Sequence, residues 1–120
     1  MPATVFVVED NADMRDLLAE FLKMHGFAVI TAEDGEAALP LIRQQQPDLI
    51  ITDIDMPRLD GISMIKELRR WPEIRDVPVL VLTAYRTKKA NEAMEAGATQ
   101  TAFKPVELDA LIRTIKLLLE

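Results

Sequence analysis

Residues 47–61 read PDLIITDIDMPRLDG. Within them Leu49–Thr52 (LIIT) is a short, unbroken, largely β-branched apolar run that stops at Asp53 and is followed by the turn formers Met56–Pro57 and Asp60–Gly61. A continuous run of this length, with no polar alternation, fits a strand covered on both faces. Four more such segments flank it: Thr4–Val8 (TVFVV), Phe27–Thr31 (FAVIT), Val77–Leu82 (VPVLVL) and the weaker Thr99–Phe103 (TQTAF). The intervening residues carry a helical period. Met14, Leu17, Leu18, Phe21 and Leu22 recur at i, i+3, i+4, i+7 and i+8, and Leu108, Leu111, Ile112, Ile115 and Leu119 form a similar stripe. Three further helices are expected at Glu36–Gln45, Ile62–Arg70 and Thr87–Ala96, the last stopped by Gly97 in the C′ position. Strand and helix in strict alternation predict an α/β fold with a parallel sheet and helices on both faces. Pro40 is expected to kink or shorten the second helix, because an interior proline costs about 3 kcal/mol relative to alanine.

The chain has 120 residues, 49% of them hydrophobic and 28% charged, with a net charge of −6 and no cysteine. That length suits one domain over residues 1–120. No window is apolar enough for a membrane span, and MPATVFVVED lacks the basic flank and cleavage site of a signal peptide, so a cytoplasmic location is expected. The acidic balance argues against direct nucleic-acid binding, which needs a surplus of Lys and Arg on some face.

Three acids stand at strand ends: Glu9 and Asp10 after TVFVV, and Asp53 after LIIT. In a parallel sheet all the strands' C-terminal ends share one edge, and ligands bind there where strand order reverses. If the first and third strands are neighbours, the three carboxylates meet. Two carboxylates about 4 Å apart repel by roughly 4 kcal/mol at an effective dielectric near 20, which calls for a cation or a shared proton. A hard, oxygen-binding ion such as Mg2+ fits that ligand set. Thr83, after VPVLVL, brings a hydroxyl to the same edge, and Lys104, after TQTAF, brings a positive charge. Carboxylates, cation, hydroxyl and ammonium together describe a phosphoryl-transfer site, with Asp53 as its nucleophile.

The segments VVEDN, PDLIITDIDMPRLDG, VPVLVLTAY, EAGA and FKP, in this order and spacing, resemble the receiver domains of two-component response regulators, and the likeness runs from Thr4 to the C-terminus. The resemblance implies a doubly wound, five-stranded, flavodoxin-like sheet of order 2-1-3-4-5, as in the chemotaxis regulator. It implies Asp53 as phosphoacceptor, Asp10 as a direct Mg2+ ligand, Glu9 as a ligand through water and the Asp55 carbonyl as a further ligand, with Mn2+ as a substitute ion. Thr83 and Lys104 match the family's phosphoryl-binding groups, while Asp55 and Tyr85 match positions bordering the path of attacking water. The donor implied is a phosphohistidine on a sensor histidine kinase or phosphotransfer protein, and the domain then dephosphorylates itself and signals to a downstream target or effector domain. At the family's switch position, usually Tyr or Phe, this sequence has Thr101.

Two rival functions bear weighing. Asp53-Ile54-Asp55 is similar to the Asp-x-Asp motif of haloacid dehalogenase-like phosphatases, but those enzymes carry it on their first strand, with the other acids downstream. A phosphorylation-independent pseudo-receiver would be expected to have lost some of Glu9, Asp10, Asp53, Thr83 and Lys104, all of which are present. Other features read structurally: Asp60–Gly61 as the turn launching the third helix, His25 as a helix C-terminal cap, and Arg69–Arg70 and Lys88–Lys89 as solvated faces.

Overall fold

The computed structural model describes residues 2–84 and 88–120. Among them five strands alternate with five helices: β1 (Thr4–Val8), α1 (Ala12–Met24), β2 (Ala28–Ala32), α2 (Gly35–Gln45), β3 (Leu49–Asp53), α3 (Gly61–Leu68), β4 (Val79–Thr83), α4 (Lys88–Ala96), β5 (Gln100–Phe103) and α5 (Leu108–Leu118). All strand pairs are parallel, in the order β2-β1-β3-β4-β5. The expected flavodoxin-like α/β fold is the one observed.

The apolar runs of β1, β3 and β4 are continuous because these central strands bury both faces, whereas the edge strands β2 and β5 stay partly exposed. On β1, Val5 and Val7 pack with Leu18 and Leu22 of α1 and with Leu111, Ile112 and Ile115 of α5. Phe6 and Val8, on the opposite face, pack with Ala38 and Ile42 of α2, Met64, Ile65 and Leu68 of α3, and Ala93 of α4. Removing one such Leu or Ile side chain from water is worth roughly 1.5–3 kcal/mol, so these two layers dominate the stabilisation.

Helix starts are set by short polar side chains. Asn11, Asp34 and Asp60 accept hydrogen bonds from the amides of Met14 (2.9 Å), Ala37 (2.8 Å) and Ser63 (2.8 Å), satisfying donors that the first turn leaves without an intrahelical partner. His25 is the C-cap of α1, its Nδ1 donating to Phe21 O at 3.0 Å. Gly97 follows α4 at φ +122°, the left-handed region that favours glycine.

Several expectations are corrected. Pro40 does not shorten α2, which runs through it to Gln45. Pro40 and Glu36 are both exposed, so the carbonyl deprived of its donor can be hydrated, while Ala38 and Ile42 anchor the buried face. Arg69 is no solvated residue. It donates to Gly97 O (3.0 and 2.8 Å), Arg75 O (2.7 Å) and Val77 O (2.5 Å), joining the end of α3, the segment before β4 and the turn after α4. β4 begins at Val79 rather than Val77, since Pro78 has no N–H to give the sheet and contributes only its carbonyl, to Ile50 N at 3.0 Å.

Candidate functional site

Asp53 and Thr83 are the last residues of β3 and β4, while Glu9 and Lys104 directly follow β1 and β5. In the observed order β1 and β3 are neighbours, pairing Val8 with Thr52, so the acids converge at the point where the sheet's winding reverses. One carboxylate oxygen each from Glu9, Asp10 and Asp53 lies within 4.8 Å of the others. Glu9 is 3% exposed, Asp53 half-buried and Asp10 exposed.

Two of the three carboxylates, those of Asp53 and Glu9, are held by identifiable donors. Asp53 Oδ1 accepts from Ile54 N at 2.7 Å and Oδ2 from Lys104 Nζ at 3.1 Å. Glu9 Oε2 accepts from Asn11 N at 3.1 Å and Oε1 from Lys104 Nζ at 3.3 Å, while Arg15 Nη1 donates to the Glu9 carbonyl at 2.9 Å. Burial pushes the Glu9 carboxyl above its ordinary range; the Asn11 amide and Lys104 pull it down, and the nearby Asp53 and Asp10 push it up again. Burial alone would lower Lys104, but its bond to Asp53 and the charges of Asp53 and Glu9 outweigh that and hold its ammonium above the usual lysine range.

Thr83 is fully buried, and its carbonyl accepts the Lys104 amide at 2.9 Å. The Lys104–Pro105 peptide is cis. The Asp55 carboxylate pairs with Lys89 Nζ at 3.6 Å on α4, and Lys89 is exposed, as expected of a solvated face. Thr101 sits on β5 opposite Val81, and Tyr85 lies outside the described residues. Beside the cluster is a depression of about 360 Å3 lined by Glu9, Asn11, Asp13, Met14, Leu17 and Lys104.

The donor set consists of carboxylate oxygens alone, with neither His nor Cys, and therefore fits a hard divalent cation. Two supporting residues escape a reading of the sequence. Gly61 does launch α3, as Asp60–Gly61 led one to expect, but a Cβ there would also lie 2.1 Å from Asp53 O. Arg15 acts from the first turns of α1, where it looks like any exposed helix residue. Only a glycine directly behind a cap offers a hint, and the hint does not name its neighbour.

Compared with known proteins, residues 5–116 match the family model described as the response regulator receiver domain. The response regulator MprA of Mycolicibacterium vanbaalenii is 38% identical over 120 residues, covering 99% of this chain and 51% of that protein. The chain thus spans about half the length of that relative. The polar-differentiation response regulator DivK of Brucella anthropi is 34% identical over 117 residues, covering 97% of this chain and 95% of its own. Among solved structures, the chemotaxis response regulator CheY4 of Vibrio cholerae superposes with a TM-score of 0.92 at 31% identity, over 98% of this chain and 99% of that one. The signal receiver domain of a signal transduction histidine kinase from Syntrophus aciditrophicus gives 0.91 at 29% identity, over 98% and 89%.

Proposed function

The chain belongs to the response-regulator receiver family of two-component signalling, and from that membership we propose that it is a phosphorylation switch whose acceptor is Asp53. The reading rests above all on the contact of Lys104 Nζ with Asp53 Oδ2 at 3.1 Å, beside carboxylates gathered within 4.8 Å. The donor is a phosphohistidine on a sensor histidine kinase or phosphotransfer protein.

A carboxylate oxygen of Asp53 attacks phosphorus, the phosphorus–nitrogen bond of the phosphohistidine breaks, and the departing imidazole takes its proton from solvent. Lys104, kept protonated by its two carboxylates, then has phosphoryl oxygens to pair with. Thr83 donates its hydroxyl to another of those oxygens. Glu9, Asp10, Asp53 and the Asp55 carbonyl would hold Mg2+, or Mn2+ in its place, and such a cation offsets carboxylate repulsion and takes up phosphoryl charge. Reversal is by water: it attacks phosphorus, the bond to Asp53 breaks, and orthophosphate leaves with the carboxylate restored. Asp55 and Tyr85 border that water's path and set the lifetime of the phosphorylated state.

In this reading residues 1–120 form one receiver domain working in the cytoplasm, and its output passes to a target protein or effector domain. Among the described residues no helix is long and apolar enough to cross a membrane. Incubation with phosphoramidate should incorporate phosphate in Mg2+ but not in excess chelator, and Asp53→Asn should abolish incorporation. Labelling of that variant at the wild-type rate would contradict the proposal.

A further inference from the structure

The Asp53 carboxylate is oriented by a peptide unit that is itself held from outside the acidic cluster. The carbonyl of Asp53 and the N–H of Ile54 belong to one planar peptide group. Thr52 Oγ1 donates to that carbonyl at 2.9 Å, and the same group's N–H donates to Asp53 Oδ1 at 2.7 Å. Oδ1 is thereby tied, and Oδ2 is the oxygen left facing Lys104. Turning the peptide plane would strain both bonds together.

Thr52 is 1% exposed and lies in register between Val8 and Val81, both members of one apolar cluster. A hydroxyl there costs free energy unless it is bonded, and a valine would fill the same space without that cost. Gly61 packs against the same peptide. A Cβ on it would lie 2.1 Å from Asp53 O and 3.1 Å from Ile54 Cα, and its amide donates to Ile54 O at 2.8 Å. The Asp53–Ile54 peptide is therefore held by the Thr52 hydroxyl bond and by close backbone packing against Gly61, whose amide bond fixes the next peptide, Ile54–Asp55.

We propose that Thr52 is a positioning residue for phosphoryl acceptance: its hydroxyl fixes the Asp53–Ile54 peptide plane, which ties Oδ1 and presents Oδ2 to the phosphoryl donor. Thr52 touches no reacting atom. The inference rests on the reading of Asp53 as phosphoacceptor.

Thr52→Val keeps the shape and removes the hydroxyl, whereas Thr52→Ser keeps the hydroxyl and removes a methyl group. The test measures phosphate incorporation from phosphoramidate in Mg2+ as a function of donor concentration, with thermal melts and the Ile54 amide resonance of the metal-free protein. Thr52→Val should lower the maximal rate roughly three- to tenfold, the equivalent of one ordinary hydrogen bond, leave half-saturation by donor unchanged, and shift the Ile54 amide. Thr52→Ser should restore both rate and resonance even though its cavity lowers the melting temperature. Wild-type rate in Thr52→Val, or slowing of both variants in step with lost stability, would overturn the proposal. If wild type takes up no phosphate at all, the phosphoacceptor reading fails. The Ile54 amide then decides the geometry alone, and an unshifted resonance in Thr52→Val overturns that too.

Discussion

Lys104 Nζ lies 3.1 Å from Asp53 Oδ2 although β5 and β3 are not neighbours in the sheet. Adjacent strands are about 4.8 Å apart, so the lysine stem has to pass over the end of β4 to reach the acids. Thr83, the last residue of β4, lies at that crossing, and its carbonyl accepts the Lys104 amide at 2.9 Å. The hydroxyl-bearing residue and the ammonium thus come to the acidic edge together, because one strand end supports the other.

Asp10 brings an exposed carboxylate to within 4.8 Å of two others, and although Lys104 pairs with Glu9 and Asp53, three carboxylates around one ammonium leave repulsion that a bound cation would offset. Asp10→Asn should weaken Mg2+ binding while raising the melting temperature in chelator by a few degrees, since exposure screens much of the effect. Melts with and without Mg2+ check both halves, and a variant no more stable than wild type in chelator would contradict the repulsion.

Asp34, 1% exposed, caps α2 and accepts from Arg58 Nε at 2.8 Å. The Ala37 amide, and then Arg58, hold its carboxyl below the ordinary value of 3.8. A lowered carboxyl favours the folded state above pH 3.8, and that contribution is lost as pH falls through the folded pKa. Asp34→Asn retains a capping acceptor but loses the charge, so it should melt a few degrees below wild type at neutral pH. The gap should close in acid below 3.8; a gap independent of pH would exclude the ionic contribution.

Arg69 satisfies three carbonyls in two separate segments, and Gly97 must lack a side chain for it to do so, since a Cβ there would lie 2.9 Å from Arg69 Cγ. Arg69→Met keeps much of the stem and removes every donor. It should cost about 2 kcal/mol, the range for hydrogen bonds to a charged group, in denaturant unfolding. Amide exchange should quicken at Gly97 and Ala98, and unchanged exchange there would show that the turn after α4 does not depend on the guanidinium.

The sheet and the acids are legible in the sequence because both depend on local rules: apolar runs make strands, and strand ends in a parallel sheet share an edge. Glu9, Asp10, Asp53 and Lys104 are visible for that reason. Arg69 and the second role of Gly61 are not, since each depends on where a distant carbonyl lies once the layers have packed. Pro40 misleads because its cost depends on exposure, which composition does not reveal.

Thr101 sits at mid-strand opposite Val81 and has no ring to move between solvent and core. We expect phosphorylation to change the surroundings of Asp53, Thr83 and Lys104 more than the face formed by α4, β5 and α5, because little apolar area there can differ between the two states. Amide shifts with and without a phosphoryl mimic measure this. Changes through residues 99–103 and α5 as large as those beside Asp53 would show that the signal crosses without a ring.

In this mechanism one oxygen of Asp53 carries the phosphoryl group. Wild-type protein phosphorylated by phosphoramidate in Mg2+ can be reduced with borohydride, which converts an aspartyl phosphate to homoserine, and then mapped by peptide mass. Homoserine is expected at position 53 alone, with none in protein treated in excess chelator. Homoserine at position 10 or 55, or a phosphoryl group on a peptide that borohydride leaves unchanged, would contradict it.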